Sequence, residues 1–146
     1  MKVRPLILAA LLVFAACQSD EIVVATQVQP LIGTWRLIQP DSTYGVTLRL
    51  VVDPDNPPVD ITPFDATGKS AVNTYSARLF AAADGKASVD RLSSTQVAGS
   101  PQAAQVEQAY LSSLRNVVRF QVDAAGRLRL DYGSAQGSGT LVYRRE

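Results

Sequence analysis

Val46-Thr47-Leu48-Arg49-Leu50-Val51-Val52 places Leu48, Leu50 and Val52 on one side of an extended chain and Thr47, Arg49 and Val51 on the other. A period of two is the signature of a strand with one buried face, because successive side chains of an extended backbone point in opposite directions. The same text recurs from Leu31 onward, in short runs separated by Gly, Pro, Asp and Asn. Seven or eight strands follow, at about 32–38, 46–52, 59–64, 70–81, 87–93, 117–122, 127–132 and 139–145. Their inward face is expected to carry Leu48, Leu50 and Val52, then Val118, Phe120 and Val122, then Leu128, Leu130 and Tyr132. Between them, Asp53-Pro54-Asp55-Asn56-Pro57-Pro58 cannot lie in a central strand, and 83–86 and 124–126 read as hairpin connections. The stretch 133–139 reads as a loose loop.

One segment has a different period. Ala103, Val106, Tyr110, Leu114 and Val117 are spaced by three and four, which predicts an amphipathic helix over 100–116. Ser100 is placed to cap it, Pro101 occupies the first helical position, where its missing N–H costs nothing, and Arg115 suits the negative end of the helix dipole. The expected fold is mainly β (α+β): an antiparallel curled sheet or open β-barrel of about seven to eight strands, flanked or plugged by one helix.

Ahead of this domain, Lys2 and Arg4 precede an apolar run from Leu6 to Ala16, and Ala15-Ala16 stand before Cys17. Positive start, apolar run and small residues make a secretory signal, and a cysteine at the cleavage position makes it a lipoprotein signal. An ordinary signal would leave Cys17 a coincidence, yet it is the chain's one cysteine. A membrane span needs about 20 apolar residues, more than this run has. The expected organisation is a signal peptide at 1–16, a lipidated tether at 17–30 and a domain at 31–146. Ile22-Val23-Val24 is a part of the tether that could instead form an edge strand. Gln18 after the cysteine, in place of Asp, points to the outer membrane, with the domain facing the periplasm. Phe14 departs from the leucine preferred three places before such a cysteine.

Composition excludes several functions. Without Lys2 and Arg4 there remain 12 basic against 13 acidic side chains, so no field draws the mature chain to nucleic acid. With no histidine, the chain cannot by itself build a Ser-His-Asp or Cys-His nucleophile, an H-E-x-x-H zinc site or a Cys/His cluster. No thiol is left for a disulfide once Cys17 is acylated.

Leu31-Ile32-Gly33-Thr34-Trp35 with Leu37, Gly68-Lys69-Ser70-Ala71-Val72-Asn73-Thr74-Tyr75, Thr95-Gln96-Val97-Ala98-Gly99, the helix positions Glu107, Tyr110 and Leu114, and the closing pairs Leu128, Leu130 and Leu141, Tyr143 keep the order and spacing of a known pattern. This resembles the META domain family, whose bacterial members include HslJ-like heat-inducible lipoproteins. Gly33, Trp35, Gly68, Asn73, Tyr75 and Thr95 match its structural motif positions. Both family cysteines are absent, replaced by Val72 and Gly99, and their joint loss argues that the two pair or touch in other members and that apolar packing replaces that contact here. Ala71 stands at the family's second glycine. The resemblance implies an antiparallel calycin-like barrel, similar in outline to pilot lipoproteins of secretion systems. It implies no catalytic activity or cofactor, and roles in envelope stress.

Each candidate residue has a plain structural reading beside the functional one. Trp35 is a ligand-stacking platform or core, with core favoured. Asn73 and Tyr75 line a cleft, or Asn73 satisfies backbone groups at a bend while the Tyr75 hydroxyl reaches the rim. Asp53, Asp55, Asn56 and Asp60 lack EF-hand spacing and read as a turn, so no metal is expected. Arg49, Arg119, Arg127 and Arg129 read as a solvated outer face. Nothing in the spacing of Asp90, Glu107, Asp123 and Asp131 recommends a catalytic pair. The favoured site is the mouth between the helix and the sheet, with Trp35, Tyr75, Tyr110 and Ala109 around it. Small residues, Ala71, Ala77, Ala98, Ala103 and Ala109, are expected at inward positions, leaving room there for an acyl chain or an apolar peptide edge. The expected partners are thus the membrane, through Cys17, and an envelope protein or acyl chain.

Overall fold

The computed structural model describes residues 27–56, 59–135 and 137–146; the signal, Cys17 and the tether before residue 27 lie outside the described residues. A 3-10 turn at Gln29–Leu31 leads into β1 (Gly33–Gln39), β2 (Thr47–Val52), β3 (Ile61–Lys69), β4 (Thr74–Ala82) and β5 (Ala87–Ser94). Then come α1 (Pro101–Arg115), β6 (Val117–Val122), β7 (Leu128–Ser134) and β8 (Gly137–Arg145). All eight strands form a single antiparallel sheet in the order β5-β4-β3-β2-β1-β8-β7-β6. Every pairing joins chain neighbours except β1 with β8. The two edges curl back towards each other: Lys86 bridges to Arg119, and the Phe120 N–H donates to the Gly85 carbonyl at 2.9 Å. The result is the expected nearly closed barrel, with α1 packed against β5, β7 and β8 across the seam.

Alternation puts Trp35, Leu48, Leu50, Phe64, Leu79, Leu128, Leu130, Leu141 and Tyr143 inside, all essentially without solvent contact. Burying a large apolar side chain is worth about 2–3 kcal/mol each, and these hold the domain together without a disulfide. Arg49, Arg119 and Arg127 are exposed and Arg129 half-buried, as the outer-face reading expects.

In this up-and-down order the connections sort to two ends. The loop between β1 and β2, the turn 70–73 and the β5–α1 connection lie at one end, which α1 covers. The Gln29–Leu31 turn, the turn 53–56 and the turns 83–86 and 123–127 lie at the other. There Val28, Leu31 and Trp35 are fully buried and the indole N–H donates to the Leu31 carbonyl at 2.8 Å. Val28 therefore belongs to the packed domain, ahead of the boundary expected at residue 31.

Several expectations are corrected. Val118 is 50% exposed and Val117 buried, because a bulge gives β6 one more residue than β7 between Val117 and Arg119 and turns the alternation over. A second bulge places Arg91 of β5 at φ 52 and shifts its register against β4. The strand expected over 70–81 begins at Thr74: β3 continues to Lys69, and Ser70–Asn73 is the turn between them. The loop expected over 133–139 is a hairpin, with Gly133 opposite Ser138 and Ser134 opposite Gly137. Of the five alanines expected inside, Ala77 and Ala103 are buried, Ala71 is half-buried in the turn, and Ala98 and Ala109 are exposed.

Candidate functional site

Helix α1 is fixed to the barrel by its ends and middle. Ser100 caps it, its hydroxyl accepting from the Ala103 N–H at 3.2 Å. One turn further, Glu107 reaches the turn between β3 and β4. Its Oε2 accepts from the Ser70 hydroxyl, from the Val72 N–H at 3.0 Å and from the Asn73 N–H at 2.7 Å, while Oε1 accepts from Asn73 Nδ2 at 2.7 Å. Burial acts to raise the pKa of this carboxylate, but the hydrogen bonds from Ser70, Asn73 and Val72 outweigh it and bring it from 4.5 to about 2. Asn73 extends the network, its Oδ1 accepting from the Thr95 hydroxyl at 2.8 Å and the Val97 N–H at 2.7 Å. Held by four hydrogen bonds and with its pKa depressed, this carboxylate is a poor proton acceptor; it is a clamp between α1, the 70–73 turn and the β5–α1 connection.

Close approach completes the clamp. A Cβ on Gly99 would come within 2.4 Å of Val72 Cγ2, so the valine packs where a side chain at residue 99 would stand. The two positions left without cysteine do touch. Gly68 is similarly constrained, since a Cβ there would meet the Thr47 carbonyl oxygen at 2.0 Å.

Beneath the helix, the Tyr75 hydroxyl donates to the Thr47 carbonyl at 2.8 Å and lies 2.7 Å from the Tyr110 hydroxyl, to which Tyr143 donates at 3.2 Å. The Tyr75 and Tyr110 rings meet edge to face at 5.7 Å. Burial holds all three hydroxyls far above the usual phenol range, so they stay neutral. The expectation that the Tyr75 hydroxyl reaches the rim is thereby corrected: the residue is 4% exposed and bonded inside.

On the other flank of α1 an apolar cleft of about 180 Å³ opens between the helix and the ends of β1, β7 and β8. Val106, Ala109 and Tyr110 line its helix side; Leu37, Tyr132 and Leu141 line the sheet side. Asp41 stands at the lip, its Oδ1 accepting from the Thr43 N–H at 2.8 Å, a contact that lowers its pKa. A groove of about 290 Å³ continues from it past Ser112, Asn116 and Ser138.

Of the residues expected around the mouth, Ala109 and Tyr110 line this cleft. Tyr75 is interior to it. Trp35 is at the opposite end of the barrel, fully buried, with the Arg145 guanidinium 4.4 Å over its ring. Sequence reasoning missed Asp41, Leu37 and Tyr132, which come from connections and strands far apart in the chain. Asp90, Glu107, Asp123 and Asp131 are separately engaged: Glu107 as above, Asp123 with Arg127 at 2.8 Å, Asp131 with Thr140 at 2.7 Å, and Asp90 with the Arg91 N–H at 2.8 Å. Asp53 is buried and holds Arg78, Asn56 and the Asp55 N–H, the geometry of a braced turn. Among the described residues no three His, Cys, Asp or Glu side chains are grouped to hold a metal ion, and no helix is long and apolar enough to cross a membrane.

The family profile of the META domain matches residues 29–145. A solved structure described as the NMR structure of the protein from Burkholderia xenovorans is similar, with 23% identity, a TM-score of 0.53 and coverage of 88% of this chain and 96% of that one. That likeness concerns the fold alone. No curated protein matches the chain.

Proposed function

The chain belongs to the META domain family, and from that premise we propose that it is a lipid-anchored accessory protein of the cell envelope. In this reading Cys17 carries the acyl chains that hold it in the outer membrane, and the barrel faces the periplasm, serving envelope integrity or the response to envelope stress. It acts by contact and catalyses no reaction. The observation that carries this reading is the filled interior. Trp35, Phe64, Leu79 and Tyr143 occupy the space in which other barrels of about eight strands hold a ligand, and the carboxylates are tied into separate structural contacts. A second reading, a module that binds a hydrophobic ligand or a partner peptide, is favoured by the apolar cleft beside α1.

Fractionation of Cys17→Ser tests the anchor. Stable attachment takes more than one acyl chain, and all of them depend on this residue in the lipoprotein reading. The variant is expected in the soluble fraction. A processed variant that still pellets with membranes after a salt wash would overturn the proposal.

A further inference from the structure

We propose that the cleft beside α1 receives one apolar side chain from an extended segment of a partner protein, with a lysine or arginine next to it in that segment. This deepens the reading of the domain as an accessory module and rests on it.

Volume selects the size of the occupant. Pockets for whole small molecules run from about 300 to 1,000 Å³, whereas a cavity of about 150 Å³ holds a benzene-sized group. At about 180 Å³ the cleft suits one aliphatic or aromatic side chain. Its floor is apolar on both sides, from Leu37 and Leu141 to Val106 and the Tyr110 ring. The Tyr110 hydroxyl is turned inward to Tyr75 and Tyr143, so the ring and not the polar atom meets the occupant.

Charge selects the neighbour. Among the residues that line the cleft, Asp41 is the one with a formal charge, and its bond to the Thr43 amide fixes it at the lip. A carboxylate there repels the headgroup of a fatty acid and attracts a cationic residue. The adjoining groove offers hydroxyl and amide groups at Ser112, Ser113, Asn116 and Ser138, which suit the backbone of an extended peptide and have nothing to offer an acyl tail. Placement agrees with a protein partner. The cleft lies at the α1 end of the barrel and the chain enters the domain at the other, so an anchored domain turns this end away from its own tether.

The test uses full-length lipidated protein in lipid nanodiscs, with empty nanodiscs as reference. The probes are the blocked fluorescent tetrapeptide serine-leucine-lysine-serine, the same peptide with glutamate for lysine, and a fluorescent palmitate analogue titrated in the same way. Saturable binding is expected, about fivefold tighter for the lysine peptide, the discrimination one partly exposed charge pair supplies. Asp41→Asn, which keeps the acceptor for the Thr43 amide, should bring the two peptides within about twofold of each other. Ala109→Trp adds its ring at an exposed helix position and should abolish binding while leaving the thermal midpoint unchanged. No saturable binding of either peptide, equal affinity for both, or an unaltered curve in folded Ala109→Trp would overturn the inference. So would binding of palmitate alone, which would assign the cleft to acyl chains. The Cys17→Ser fractionation fails or succeeds independently of these titrations, so a lost anchor and a lost cleft are told apart.

Discussion

The two ends of the barrel are closed by different chemistry. At the chain-entry end Val28, Leu31 and Trp35 form an apolar plug, sealed by Arg145, whose guanidinium lies over the indole and donates to the Ile32 and Pro30 carbonyls at 2.9 and 2.6 Å. At the α1 end the closure is a polar clamp, Glu107 on the 70–73 turn, over a chain of three tyrosine hydroxyls. Apolar burial is worth more per residue but is tolerant of direction, whereas a set of hydrogen bonds fixes one orientation. The plug therefore carries stability, and the clamp sets where the helix sits and hence the shape of the cleft beside it.

Trp35→Ala should give the largest effect, a loss of about 3–5 kcal/mol in urea denaturation, because it leaves a cavity and strips a partner from both the Leu31 carbonyl and Arg145. A loss under 1 kcal/mol would show that the plug is dispensable. Next comes a covalent version of the clamp. A Cβ at Gly99 would lie 3.3 Å from that of Val72, slightly tighter than the spacing of a disulfide, so the double variant Val72→Cys, Gly99→Cys should oxidise. Closing a loop of roughly 30 residues should then raise stability by about 3.5 kcal/mol at most, lost again on reduction. No change in the thermal midpoint between oxidised and reduced protein would mean that strain at this tight spacing cancels the gain.

Glu107→Gln turns an acceptor into a donor facing either the backbone amides or Asn73 Nδ2, and should cost on the order of 2 kcal/mol. The pH dependence gives a second reading of the same bond set. Folding depresses the Glu107 pKa to about 2, so its contribution is complete above about pH 4.5 and is lost as pH falls towards 2. Melts from pH 6 down to pH 2 should show this acid-sensitive component in the wild type and its loss in Glu107→Gln; the same slope in both would refute the clamp. The smallest expected effect tests the β6 bulge. Val118→Thr should stay within about 0.5 kcal/mol of wild type, as an exposed surface substitution does, while Val117→Ala costs about 1–2 kcal/mol.

What could be read in advance follows the same division. Strands with large inward residues announced themselves, as did the helix, because Leu48 and Leu50 or Tyr110 and Leu114 mark a period that solvent exclusion enforces. The second half of β3 did not, since its inward positions are Ala66 and Gly68 and the alternation there is nearly silent. Bulges are equally silent: one added residue in β6 reverses which valine is buried without changing composition. Tyr110 is legible as part of the helix's buried stripe from its spacing, whereas the exposed Ala109 borders the cleft only because of how α1 sits on the sheet. Asp41, Leu37 and Tyr132 were not legible as cleft residues, because only the β1–β8–β7 pairing brings their strands together. Trp35 was correctly read as core, but which end of the barrel it fills depends on sheet order, which no local pattern states.

The pairing of β1 with β8 has a consequence in time. Every other ladder joins neighbours along the chain and can zip as soon as both strands exist, but this one joins Trp35 to Arg145 and Leu37 to Tyr143. A chain that emerges amino end first has nothing to set β1 against on that side until β8 has followed. The barrel therefore stays open on that side until β8 arrives, and the same pairing that shuts it sets Arg145 over the indole.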